Sequence, residues 1–409
     1  MDIPGLPARK AALKLLDAVL RRGETLDQAA QPALQGIRAD ADRALARALA
    51  GEALRWLIDL DALIDSATQQ VLPDDAKPRM ALRLMLAGWL RLETPPHAVI
   101  ATGLPLLAGG PRRLAHGVFS TLVKRAVTLP AVPSLPRAVL ERWGERAGAI
   151  AAGLDVPPPL DLTLRDPATT AEWAERLGGV SLMPGHVRLA RGTAVERLEG
   201  FKDGAWWVQD LAASLPARLL GPGEGRRVLD LCAAPGGKTM QLAAAGWQVT
   251  ALDAGAKRLQ RMQENLNRTG QTAELVQVDA LQWEPEGPFD AVLLDAPCTA
   301  TGTCRRHPDV LHRIGPRQIA ELVELQTALL ERAQGWVKPG GALVYATCSL
   351  ERAEGEDQAA SVTLTPDPIR ADELPAGLMP TDNGWLRTDP SQLPEAGGLD
   401  GFFIARWRA

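Results

Sequence analysis

The sequence predicts an α/β protein: a doubly wound, mainly parallel sheet, preceded by an all-helical domain and a small α/β segment. Three observations carry this reading. From residue 226 onward, short apolar runs alternate with helical stretches, the pattern of strand–helix–strand units. Residues 6–125 instead repeat apolar positions at three- and four-residue spacing, with no strand pattern. Between these regions proline accumulates, at Pro130, Pro133 and Pro136 and again at Pro157, Pro158 and Pro159.

The helical part is read from ARKAALKLLDAVLRR, ADRALARALAGEALRWLIDLDALIDSA and KPRMALRLMLAGWLRLE. Pro73, Pro78, Pro95–Pro96 and Gly109–Gly110–Pro111 interrupt it. A helical domain over 1–130 and a proline-rich linker over 131–159, with one helix near 136–150, are expected. The small segment, 160–215, offers DLTLRD, a helix around TAEWAERLG, and strands at HVRLA and AWWVQD. In the domain over 216–409, RVLDLCA, WQVTALD, ELVQVDA, FDAVLLDA and GALVYATCS are the strands. AKRLQRMQENLNRTG and ELVELQTALLERAQGWV are helices between them, and GFFIARWR is an edge strand.

At 409 residues, two or three domains are expected. Hydrophobic residues at 46% and charged residues at 23% suit a soluble globular chain, and no apolar run approaches a membrane span. The N-terminus lacks the pattern of a secretory signal. Four cysteines without a C-x-x-C imply a reducing, cytoplasmic setting and free thiols. The net charge of −4 conceals an asymmetry: residues 1–140 hold 18 Lys/Arg against 13 Asp/Glu. No acid occurs between Glu93 and Glu141, an interval containing Arg112, Arg113, Lys124, Arg125 and Arg137. Such a one-signed stretch suits phosphate contact, and equally a solvated helical face.

The segment VLDLCAAPGGKT (228–239) reads as strand, tight turn and helix start. A Walker A loop requires glycine where Cys232 stands, and a G-x-G-x-x-G turn fails at Ala233, Ala234 and Pro235. Nucleoside triphosphatase and dehydrogenase readings therefore drop. There remains a small-residue turn that lets backbone approach a ligand. Asp253 ends the next strand, 23 residues after Asp230, at the distance that suits ribose hydroxyls. Asp279 and Asp295 end the following two strands. Acids at successive carboxyl ends line the crevice where such folds bind nucleosides; singly, each could be a strand-end cap.

Cys298 and Cys348 each lie just past a core strand, 50 residues apart. If those strands are neighbours, both thiols open on the cofactor's edge, an arrangement for covalent attack on an electrophilic ring. Cytosine carbon 5 becomes nucleophilic once a thiolate adds at carbon 6, and a second group must then remove the carbon 5 proton. Asp295 is placed to bond the ring nitrogen or exocyclic amine. Chemistry alone leaves the two thiols interchangeable. Cys232 reads as a small buried residue, and Cys304 receives no role.

DLCAAPGGKT, DAPCTATGTCRRHPD and YATCSL, in this order, resemble the RNA 5-methylcytosine methyltransferases of the Nol1/Nop2/Sun family. The helical N-terminus, VQDLAASLP and GFFIARW are similar to its bacterial 16S ribosomal RNA branch. The resemblance implies a class I methyltransferase sheet with a NusB-like RNA-binding domain. It implies Cys348 as nucleophile, with Cys298 assisting product release and Asp295 completing the catalytic set. Cys232, Ala233, Ala234, Pro235, Gly236, Gly237, Lys238, Asp253, Asp279 and Asp295 would contact S-adenosylmethionine. Ribosomal RNA is the expected partner, with no metal and no membrane, and the chain is expected to act as a monomer. Arg305-Arg306-His307 would meet RNA phosphates, and a splayed-out cytosine is expected. Where the family usually has Glu-Asn-Glu, this chain has Glu354-Gly355-Glu356. Two rival readings remain: methylation of tRNA or 23S rRNA, which the helical extension disfavours, and a non-catalytic ribosome-assembly protein, which the intact Cys348 and APGG turn disfavour.

Overall fold

The computed structural model describes residues 3–192 and 194–409; residues 1, 2 and 193 lie outside it. Its contacts divide the chain into two compact units, Met1–Asp155 with Arg306–Ile314, and Val156–Arg305 with Gly315–Ala409.

The first unit is helical. Leu6–Arg22 stops at Gly23, whose φ of 68° ends the helix without Cβ strain, and Thr25 and Gln28 form a reciprocal cap for the next helix, Leu26–Ala33. The apolar stripe Ala8, Ala12, Leu15, Leu16 and Val19 faces one core shared with Leu49, Ala53, Met85 and Phe119. Arg79 and Arg83, both nearly solvent-free, are held by Asp61, and Arg79 also by Asp65 at 2.7 Å. The helix Gly109–Lys124 buries Ala115, Val118, Phe119 and Leu122 and exposes Arg112, Arg113, His116 and Lys124.

The stretch expected as linker is largely packed. Arg137–Trp143 and Ala147–Ala152 are helices, Leu135, Val139, Trp143, Ile150 and Leu154 are buried, and Arg55 Nη1 donates to the Leu154 carbonyl. Prolines there shape turns between packed elements, which composition alone does not separate from a free linker. The nine residues Arg306–Ile314 also fold into this unit: His312 Nε2 lies 2.7 Å from the Leu54 carbonyl, and the Leu26 N–H donates to Asp309.

The second unit contains two sheets. β1 (Leu160–Leu164), β2 (His186–Leu189) and β3 (Trp206–Val208) form an antiparallel sheet in the order β2-β1-β3. At its centre buried Asp161 takes a two-pronged bond from Arg188, whose remaining nitrogen donates to the carbonyls of Ala396 and Gly398. The larger sheet comprises β4 (Arg227–Leu231), β5 (Gln248–Asp253), β6 (Glu274–Gln277), β7 (Phe289–Asp295), β8 (Val337–Thr347), β9 (Thr365–Pro366), β10 (Leu386–Thr388) and β11 (Phe402–Arg408). Its order is β10-β11-β8-β7-β4-β5-β6, with β9 also on β11. β4 to β8 are parallel, and strand order reverses between β4 and β7, opening the crevice where such sheets bind ligands.

One expectation is corrected here. The GFFIARWR strand is not an edge: β11 is flanked by β8 on one side and by β9 and β10 on the other. The covering strands have two and three residues and lie in a proline- and glycine-rich stretch, so they leave no periodic signal in the sequence.

Candidate active site

The turn after β4 is bent at Cys232, a non-glycine residue with φ 59°, and at Gly236, with φ 100°. A Cβ on Gly236 would come within 2.8 Å of the Met262 side chain. Gly236 then caps the helix Gly237–Ala244. The Ala234 N–H donates to Asp253 Oδ2, at the end of β5, while Oδ1 accepts the Gly255 N–H and pairs with Arg258 at 2.7 Å. These partners close Asp253 off from solvent. Arg258, five residues after the acid, was not singled out from sequence; a basic residue in the first turn after a strand-end acid is the signal that could have found it.

Lys238 projects from the first turn of that helix to Asp295 Oδ2, 2.6 Å away at the end of β7, and lies 5.4 Å from the Phe402 ring centre. Burial alone would lower the Lys238 pKa; the charge and hydrogen bond of Asp295 outweigh it, the sulfur of Cys348 adds to them, and the ammonium is held above its ordinary value. Fully buried Asp230 is pushed up by desolvation to about 7, against a hydrogen bond from Thr239 at 2.5 Å. Its Oδ1 has no partner among the described residues. Cys232 is pushed up to about 12 by burial and then by the charges of Asp295 and Asp253, which makes it an unreactive thiol.

β7 and β8 pair in parallel with Asp295 opposite Ala346, so the residues just beyond each strand fall together. Cys298 Sγ and Cys348 Sγ are 3.4 Å apart. The hydrogen bond with Cys348, then burial, push the Cys298 thiol well above its ordinary pKa. Gly302 ties the two loops: its N–H donates to the Cys348 carbonyl, and its own carbonyl accepts the Gly401 N–H.

Three groupings of expected residues thus form: the turn with Asp253, Lys238 with Asp295, and Cys298 with Cys348. Asp279 stands apart from them. It is exposed two residues beyond β6 and accepts the Leu281 N–H. Cys304 is fully buried. Arg305 is a second correction: it is buried, with a hydrogen bond to the Gly397 carbonyl, rather than presented to phosphates. Arg306 and His307 are half-buried.

Gly355 has a structural account. A Cβ there would meet Arg387 Nη2 at 2.3 Å, and Arg387 uses the space to pair with Glu356 and to donate to the Ser349 carbonyl beside Cys348. Sequence reasoning also passed over Gln326, whose signal was a polar residue on the buried stripe of Ile319, Leu330 and Ala333.

The model of the 16S rRNA methyltransferase RsmB/F family matches residues 217–408, and that of the NusB family residues 6–106. The ribosomal RNA small subunit methyltransferase B of Klebsiella pneumoniae subsp. pneumoniae is 36% identical over 434 residues, covering 97% of each chain. The chain belongs to this family. The protein of the same name from Salmonella paratyphi B is 34% identical over 90% of this chain and 95% of its own. Among solved structures, PH0851 matches over 100% of both chains at 21% identity with a TM-score of 0.74. A methyltransferase homolog protein from Pyrococcus horikoshii matches 66% of this chain and 93% of its own at 27% identity and 0.56. The RsmB/F family and this fold make the chain an S-adenosylmethionine-dependent RNA methyltransferase. The residues present fit that cofactor in charge: Asp230, Asp253 and Asp295 lie close enough to one another and to the turn to raise the Cys232 thiol together. The buried Asp230 Oδ1 has no partner among the described residues, and the set suits a ligand that carries a sulfonium and an ammonium. Among the described residues no acid, cysteine or histidine cluster could hold a metal, and no helix is long and apolar enough to cross a membrane.

Proposed function

We propose that this RNA methyltransferase modifies carbon 5 of a cytosine in 16S ribosomal RNA through a covalent adduct on Cys348. The observation that carries the reading is the 3.4 Å pair of thiols at the ends of adjacent parallel strands, beside the Lys238–Asp295 ion pair. Carbons 5 and 6 of a pyrimidine are bonded neighbours, so two sulfurs in contact can address both at once. Asymmetry between the thiols supports the role of each. The hydrogen bond with Cys348 and then burial push the Cys298 thiol well up, which makes it a poor opening nucleophile and leaves the attack to Cys348.

The bound cofactor supplies an electrophilic methyl group. Cys348 adds to carbon 6 and makes carbon 5 nucleophilic. Asp295 and Lys238 hold the ring edge on which charge develops. Once carbon 5 has taken up the methyl group, Cys298 gives its own proton to solvent and, as thiolate, removes the carbon 5 proton. Cys348 departs as thiolate, so both sulfurs return to their starting states and one proton leaves per cycle. Cys232 through Lys238 and Asp253 bind the cofactor; Asp279, exposed beyond β6 and apart from them, would reach it only from the solvent side. The 16S substrate is carried by the relatives' shared name and by the helical unit. Exposed Arg112, Arg113, Lys124 and Arg125 on or next to Gly109–Lys124 would contact phosphates.

The test uses labelled S-adenosylmethionine and 16S rRNA. Cys348→Ala is expected to abolish transfer and Cys298→Ala to accumulate a protein–RNA adduct that survives a denaturing gel. Retained transfer in the first variant, or lost turnover without adduct in the second, would overturn the assignment.

A further inference from the structure

Two polar side chains are fully buried next to the thiols, where apolar residues would pack at less cost in desolvation: Gln326, on the helix Pro316–Gly335, and Glu354, six residues beyond Cys348. Gln326 Nε2 donates to the Pro297 carbonyl at 2.9 Å and to Glu354 Oε1 at 3.0 Å. Both partners are acceptors, so the amide has one orientation. Glu354 Oε1 also accepts the Thr299 N–H at 2.9 Å, and Oε2 accepts the hydroxyls of Thr299 and Ser349, each at 2.5 Å. The peptide groups on both sides of Cys298 are therefore held by two side chains that are bonded to each other.

Cys348 is fastened differently. Its carbonyl accepts the Gly302 N–H, the next carbonyl accepts from Arg387, and the Leu350 N–H donates to Thr301 Oγ1. None of these three bonds passes through Gln326 or Glu354. Glu354 also reaches the Cys348 side through the Ser349 hydroxyl, whereas Gln326, among the described residues, bonds only the Pro297 carbonyl and Glu354. Loss of Gln326's bonds therefore loosens Cys298 more than Cys348.

We propose that Gln326 and Glu354 are positioning residues for Cys298, setting its thiol for proton removal and product release rather than for the attack by Cys348. The inference rests on the two-thiol reaction proposed above. A merely structural pair would, when broken, weaken attack and release together. A positioning pair separates them, because attack continues while the adduct fails to resolve.

The experiment uses the full chain with S-adenosylmethionine and 16S rRNA. Gln326→Met keeps the side-chain length and removes both hydrogen bonds; Glu354→Ala removes the other half. A thiol displaced by about 1 Å slows its step on the order of 100-fold. Turnover is expected to fall by that order, with the KM for S-adenosylmethionine unchanged and adduct accumulating as in Cys298→Ala. Glu354→Gln is expected to recover most of the turnover, since its carbonyl can serve Gln326 and Thr299 while its amide donates to the two hydroxyls. If Cys298→Ala accumulates adduct and Gln326→Met does not, the positioning role is wrong. Wild-type turnover in Gln326→Met is equally fatal to it. If Cys298→Ala itself forms no adduct, the two-thiol reading fails first. Gln326→Met decides the matter should Glu354→Ala not fold.

Discussion

Gly302→Ala tests whether one residue joins the two thiol loops to the rest of the sheet. A Cβ at 302 would stand 1.9 Å from the Gly401 carbonyl oxygen and 2.8 Å from that of Cys348. Both obstacles are backbone, so no side-chain rotation relieves them. Overpacking of this kind costs about 1–3 kcal/mol. The shift also strains the bonds from Gly302 N–H to Cys348 and from Gly401 N–H to Gly302, at about 1 kcal/mol each. The sum is roughly 3–5 kcal/mol, which for a unit of this size lowers the melting temperature by about 10 °C. Activity should fall further than stability, since the displaced carbonyl belongs to Cys348. Scanning calorimetry and methyl transfer at a temperature where the variant is still folded give the two readouts. A melting point within about 2 °C of wild type with full activity would refute the reasoning.

Other perturbations have equally definite outcomes. Asp230 has its folded pKa raised from 3.8 to about 7, so its contribution is complete below pH 4, declines as pH rises to about 7, and is constant beyond. Asp230→Asn should therefore gain roughly 4 kcal/mol on wild type between pH 4 and pH 8 in urea titrations; an equal difference at both pH values contradicts this. Asp161 is the opposite case. Despite desolvation, the bonds from Arg188 and His186 hold its carboxyl far below the ordinary range, so its stabilisation is present above pH 4 and lost as pH falls. Asp161→Ala, which leaves Arg188 buried without its partner, should cost roughly 3–5 kcal/mol at pH 7 in the same assay. Replacing Arg112, Arg113, Lys124 and Arg125 by Gln should flatten the salt dependence of RNA binding by about 0.7 per lost phosphate contact, measured by filter binding across ionic strengths.

The parts of the fold that were legible in the sequence follow from local physics. β4, β5, β7 and β8 are continuous apolar runs because a sheet covered on both faces admits little else. The cysteines were legible because each follows such a run directly. Arg305 was misread because a run of basic residues looks alike whether it meets solvent or the carbonyl of Gly397, 92 positions away. Gln326 and Glu354 were illegible as partners for the same reason: 28 residues separate them, and only the pairing of β7 with β8 brings the Cys298 loop to both. Long-range hydrogen bonds leave no periodic trace, whereas burial does.

Within the proposed reaction, the asymmetry between the thiols changes as the chemistry proceeds. The largest cause of the raised Cys298 pKa is its hydrogen bond to Cys348, with the charge of that sulfur a further cause after burial. Once Cys348 has bonded to carbon 6 it is a neutral thioether, and both of those contributions vanish. Cys298 then ionises more readily, at the stage when a base is needed at carbon 5. Departure of Cys348 as thiolate restores the anion and with it the proton affinity of Cys298. One 3.4 Å contact thus suppresses the second thiol before attack and releases it afterwards. This makes the separation of the sulfurs, rather than the acidity of either alone, the quantity that the surrounding hydrogen bonds have to hold fixed.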